Sequence, residues 1–223
     1  MISRLLRTVS NRRAFLGAGA LLPLAPLAAG TAIAAEYSGA PSGGMTTVGT
    51  VDHARNGFDP HDMLTDWDTG TVETDARGRR VRTYDITAVD IEIEIAPGIF
   101  FPAWTYNGRV PGPALRATEG DLLRINFINN GSHAHSLHFH GIHGASMDGI
   151  DGAGLVAPGE SFVYEFAARP FGCHLYHCHA APLKRHIHKG LYGAFIVDPD
   201  PALHPEHAAA ARSRQLGTPE NAG

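Results

Sequence analysis

From residue 81 to residue 197 the chain alternates apolar and polar positions in short runs, a period of two that predicts half-buried strands. Residues 84–88 and 91–95 show this alternation, as do 122–129, 161–166 and 193–197. Pro97-Gly98, Asn107-Gly108, Pro111-Gly112-Pro113, Asn129-Asn130-Gly131 and Pro158-Gly159 are turn signals between runs. The histidine cluster at 135–140 predicts the strand after 122–129, and residues 173–179 predict another. Short strands at this spacing predict an all-β fold, an antiparallel sandwich or barrel over residues 81–200.

The flanks lack the alternation. Residues 36–80 are polar and Gly-rich around Asp59-Pro60-His61-Asp62 and Asp66-Trp67-Asp68, and predict an irregular extension packed on the domain or on a neighbouring subunit. After Pro199 the chain turns Ala-rich and polar, so residues 201–223 read as a tail with one short helix at 206–214. At the other end, Arg12-Arg13 precede an apolar stretch, residues 14–35, with Ala32-Ile33-Ala34 as a small-residue cleavage site. This pattern predicts a Tat-type signal peptide over 1–35 and a protein exported to the periplasm or beyond. Gly17, Gly19, Pro23 and Pro26 break the stretch, which argues against a stable membrane span. A net charge of −4 without a basic run in residues 36–223 leaves nucleic acid and anionic membranes poor partners.

Histidine distribution changes the picture. Ten of the 14 histidines lie between His133 and His188, in two clusters around one cysteine: His135-Ser-Leu-His138-Phe-His140, and His177-Cys178-His179 followed by His186 and His188. A thiolate with two imidazoles is the ligand set of a trigonal blue-copper site. Strand parity sorts the donors, because alternate residues face opposite sides. Cys178 faces inward with His135 and a later histidine, either His186 or His188. His138, His140, His177 and His179 share the outer face, so copper is expected in two kinds of site. Cys173 and Cys178 are five apart on one predicted strand and face opposite ways, which argues against a disulfide between them. His53, His61, His204 and His207 read as ordinary surface or hydrogen-bonded residues, while Cys173, His133, His143 and His174 stay unassigned.

These motifs resemble the multicopper oxidase and copper nitrite reductase superfamily of cupredoxin domains. Tyr106-Asn107-Gly108-Arg109-Val110-Pro111-Gly112-Pro113 followed by Glu119-Gly120-Asp121 looks like the family's opening motif, and the resemblance covers about residues 84–198. It implies a Greek-key sandwich in which His135, Cys178 and His186 hold a type 1 copper. His186 takes this role over His188 because it precedes Gly190 at the family's spacing. Leu191 falls at the axial place, cannot coordinate, and by resemblance raises the copper potential. The resemblance gives His138, His140, His177 and His179 to a type 2/type 3 copper cluster. A histidine at 138 and another at 179 favour the oxygen-reducing branch over the nitrite-reducing one.

Family enzymes build that cluster between two domains, whereas this sequence carries one domain with four outward histidines. Two copies about a two-fold axis would supply eight, so the expected assembly is a homo-oligomer with two-fold interfaces, a dimer or a hexamer. The expected activity is a laccase-type oxidation of a small-molecule, metal-ion or protein donor with oxygen as acceptor. Asp148 and Asp151, in the loop after His140, are candidates for proton relay. Two alternatives are a nitrite reductase-like enzyme and a non-enzymatic blue-copper electron carrier or copper-binding protein.

Overall fold

The computed structural model describes residues 49–207. The expected leader, the start of the extension and nearly all of the helix expected at 206–214 lie outside the described residues. Among the described residues, no helix is long and apolar enough to cross a membrane.

Among the described residues, ten strands form two sheets: β1 (Trp67–Asp68), β2 (Thr71–Thr74), β3 (Arg80–Ala96), β4 (Ile99–Tyr106), β5 (Ala114–Thr118), β6 (Leu122–Asn129), β7 (His138–Phe139), β8 (Ser161–Ala167), β9 (Gly172–His177) and β10 (Tyr192–Asp198). One sheet runs β1-β5-β10-β9-β7; the other runs β2-β3-β6-β8, with β4 paired to β3. Both are mixed rather than purely antiparallel, since β3 pairs with β6, and β5 with β1 and β10, in parallel. The two runs at 84–88 and 91–95 are one continuous strand, β3. The segment expected to be irregular contributes β1 and β2, and a short helix, α1 (His53–Asn56). Asn56 fastens α1 to β3 through a reciprocal pair, its side chain donating to the Glu94 carbonyl at 2.9 Å and accepting from the Glu94 N–H at 2.8 Å.

Strand β6 shows why the alternation folds as it does. Leu123, Ile125 and Phe127 are fully buried while the residues between them are partly exposed. They meet Tyr106, Phe139, Tyr164, Tyr176 and Phe195 in one core between the sheets. Burying each such side chain contributes on the order of 1.5–3 kcal/mol. The Glu119-Gly120-Asp121 motif is structural here: the fully buried Asp121 carboxylate accepts from Arg82 at 2.6 Å and from the Thr118 N–H at 3.1 Å.

Between β9 and β10, where the alternation pointed only to a loop, the chain forms α2 (Leu183–Lys189). It ends at Gly190, whose φ of 120° suits glycine, and where a Cβ would lie 2.7 Å from the Trp104 carbonyl oxygen. The strand expected around the first histidine cluster shrinks to the two residues of β7; His135 instead exchanges backbone hydrogen bonds with Val156 at 3.0 and 2.9 Å.

Candidate metal centre

The register of β7 on β9 builds the site. His138 lies opposite His177, and Phe139 opposite Tyr176. Because both strands alternate, the aromatic pair stacks inward with centroids 5.4 Å apart, and the imidazole pair points outward. One residue on, the His140 N–H donates to the Leu175 carbonyl at 2.9 Å, which carries the second cluster along the same edge.

Just past β9, Cys178 turns inward. Its thiol is fully buried, and its N–H donates to the Leu191 carbonyl at 3.1 Å. Sγ stands 3.3 Å from His186 Nδ1 and 3.9 Å from His135 Nδ1, and the two nitrogens are 3.2 Å apart. His186 arrives from α2, which leaves it 3% exposed while His188 faces solvent. Trp104 packs over both imidazoles, 5.2 Å from the His135 ring and 4.9 Å from the His186 ring. Leu191 is fully buried in the core cluster that includes Cys178. Both cysteines are free, Cys173 exposed and Cys178 buried.

The outer set is looser. Donor atoms of His138, His140 and His177 lie within 4.8 Å of one another, and His140 Nε2 is 2.7 Å from His177 Nε2. His179 sits beside His138 with ring centroids 4.4 Å apart. Behind these rings stand Asp148, expected from the sequence as a proton-relay candidate, and His143, which the sequence left unassigned. Asp148 Oδ1 lies 3.0 Å from His138 Nδ1, and the Asp148 carbonyl lies 2.8 Å from His179 Nδ1. His143 Nε2 approaches His138 Nδ1 at 3.1 Å. Gly149 makes this possible: its φ of 79° folds the loop so tightly that a Cβ there would lie 2.7 Å from the Leu137 carbonyl. Asp151 is exposed in the next turn and makes no side-chain hydrogen bond or ion pair among the described residues, so Asp148 is the acid that reaches the imidazoles.

Comparison with known proteins decides the family. A family model described as multicopper oxidase matches residues 90–202. The chain belongs to the multicopper oxidase family. A solved multicopper oxidase structure is 58% identical with a TM-score of 0.65, over 67% of this chain and 53% of the other. The multi-copper oxidase of Pseudomonas thermotolerans is 35% identical with a TM-score of 0.51, over 53% of this chain and 30% of that one. Among curated relatives, the copper-containing nitrite reductase of Neisseria meningitidis is 35% identical over 52% of this chain. Copper resistance protein A of Escherichia coli is 35% identical over 58% of it. The chain spans only 30% and 21% of these two relatives' lengths.

The donor chemistry of this multicopper oxidase domain fits copper. The inner triad joins a soft sulfur to two imidazoles inside an apolar shell. In the outer set, Nδ1 of His138 and His179 meets Asp148, and Nδ1 of His177 meets the Cys178 carbonyl at 2.9 Å. Holding the proton on Nδ1 leaves the Nε2 lone pair for a metal, the usual arrangement of a ligating histidine. Burial pushes the Cys178 thiol up, opposed by N–H groups of Ala180 and Ser136, so metal uptake must displace a proton from sulfur.

Burial, with the neighbouring His186, lowers His135 from 6.5 to about 4. Burial also lowers His138, His177 and His186. All four shifts have the same sign. The unfolded chain binds protons that the folded chain refuses, so stability is lost as pH falls from about 6.5 toward the lowered folded values. The metal-free protein should therefore show a falling thermal midpoint between about pH 7 and pH 5, and His135→Gln should flatten that slope. Circular dichroism melts across this range check it; a midpoint independent of pH would contradict it.

Proposed function

We propose that this protein is an exported, copper-dependent oxidase of laccase type, working in the periplasm or outside the cell. A donor's electrons enter at the inner triad, and oxygen is reduced to water at a copper cluster shared between subunits. The observation that carries this reading is the His177-Cys178-His179 tripeptide: a fully buried thiol lies between two partly exposed imidazoles, with His138 directly across the strand pair. One covalent stretch thereby joins two donor sets of different character.

Copper, when bound, supplies the one-electron chemistry and the oxygen-reducing centre. The protein supplies the rest. His135, Cys178 and His186 hold a dry inner site, and Trp104 shields it from water. Ser136 Oγ accepts the His179 N–H at 3.0 Å and lies 3.8 Å from Cys178 Sγ, which locks the tripeptide across the two sets. Asp148 holds His138 and His179 in orientation, and its carboxylate is placed to receive and return a proton at His138 Nδ1. Asp148→Asn should cut oxygen turnover about 10–100-fold while the blue absorption persists. Steady-state oxygen uptake beside the visible spectrum checks this.

The outer face supports assembly about a two-fold axis. Leu175 (58% exposed) and Tyr192 (38%) flank His177 on the same sheet face and extend the imidazole patch with apolar surface. A second copy would cover this surface and bring four more histidines, as a dimer or as a hexamer built from dimers.

The test is copper stoichiometry with visible and EPR spectra on protein of known mass. The expected result is about two or more coppers per chain in an oligomer, with blue type 1 and type 2 signals. A monomer with one blue copper and no oxygen uptake would reduce the protein to an electron carrier. Turnover with nitrite instead of oxygen would move it to the nitrite-reducing branch.

A further inference from the structure

The helix that delivers His186 also carries a cationic outer face. Within Leu183-Lys184-Arg185-His186-Ile187-His188-Lys189 there are three fixed cations and no acid, on a chain whose net charge is −4. Lys184, Arg185 and His188 are exposed, whereas His186 is 3% exposed. Between this face and β4 lies a concavity of about 540 Å³ lined by Phe101, Pro182, Lys184, Arg185, His188 and Lys189.

Aromatic contacts connect the concavity to the inner triad. Arg185 lies 5.2 Å from the Trp104 centroid, and Lys189 lies 4.9 Å from Phe101 and 5.6 Å from Trp104. Trp104 in turn packs on His186 and His135. Lys189 also donates to the Pro102 carbonyl. Lys184 and His188 have no side-chain partner among the described residues, so they are the basic groups left to meet a ligand.

We propose that this concavity binds an aromatic anion, a ring carrying a carboxylate, and that such anions are its preferred electron donors. The donor role rests on the oxidase reading above; the binding does not. Phe101, Pro182 and the Arg185 guanidinium offer faces for a ring, the Lys184 ammonium offers charge, and Lys184 and the His188 ring offer hydrogen bonds at the rim. The volume falls in the range of small-ligand sites, roughly 300–1,000 Å³. A protein partner would need roughly 800 Å² of complementary surface on each side. The apolar residues that line this concavity are Phe101 and Pro182. A polyanion would need a basic stripe longer than this two-turn helix.

The experiment titrates the full metal-free chain with 4-hydroxybenzoate, the neutral 4-hydroxybenzyl alcohol, and sulfate. Binding is read by calorimetry and by Trp104 fluorescence in a Trp67→Phe background, since Trp67 lines a different cavity. The benzoate should bind at least about tenfold more tightly than the alcohol, a difference of about 1.4 kcal/mol. Sulfate should compete poorly, and added salt should shrink the difference. A Lys184→Gln/His188→Gln double variant should erase the preference. Arg124→Gln, a charge change on β6 outside the concavity's lining, should leave it intact. Equal affinity for benzoate and alcohol, full competition by sulfate, or an unaffected double variant would each overturn the site. With copper-loaded protein, equal turnover of charged and neutral donors would overturn the donor preference. Absence of oxygen uptake with every donor would instead overturn the oxidase reading and leave the anion site standing.

Discussion

Cys178→Ser should abolish the intense blue absorption and lower oxygen uptake by at least the roughly 100-fold that loss of even an outer-shell partner can cost a metal site. Sγ is the one soft donor of the inner triad, 3.3 Å from His186 Nδ1 and sealed from solvent. A serine hydroxyl fills nearly the same space but lacks the polarizable thiolate that the blue chromophore requires. Its folding cost is bounded by one buried hydroxyl, about 1–3 kcal/mol if unpaired, and Ser136 stands close enough to pair with it. The type 2 EPR signal of the outer set should survive, because His138, His140, His177 and His179 keep their positions. Visible and EPR spectra of the purified variant check both halves; a retained blue band would refute the inner ligand assignment.

The converse substitution should separate the two centres. His140→Ala combined with His177→Ala removes the pair whose Nε2 atoms approach to 2.7 Å. Oxygen uptake should collapse, copper should fall to about one per chain, and the blue absorption should persist on the untouched triad. His140 is exposed and His177 half-buried, so fold stability should change little. On the proposed two-fold assembly, subunit association should weaken as well, since the metal shared across it is lost. Copper analysis and sedimentation before and after substitution provide the readout. A variant that keeps full oxygen uptake would remove the outer histidines from the active centre.

The chain's own pattern carried far where geometry is local. The alternation at 122–129 coincides with β6, and the turn signals at Pro97-Gly98 and Asn107-Gly108 bracket β4. The inward cysteine between outward histidines follows from the two-residue period of a strand, and that period barely depends on the rest of the molecule. Helix α2 was not legible. Seven residues are too few to establish a helical period, and four of them, Leu183, Lys184, Arg185 and His188, are exposed. The mixed sheets were equally hidden, because parallel pairing joins segments far apart in sequence and leaves no signal in either one.

Sequence alone therefore determined the all-β frame and proposed the candidate donors with their division into inner and outer groups, since these follow from residue identity and strand parity, while parity left His186 and His188 both open. Tertiary structure decided what brings the donors together. The β7–β9 register placed His138 opposite His177, and α2 turned His186 inward while leaving His188 outside. The loop closed by Gly149 set Asp148 against two imidazoles, and packing put Trp104 over the triad. These contacts join residues as far apart in the chain as Trp104 and His186. Only the closing of one core between two sheets sets their distances, which no local period encodes.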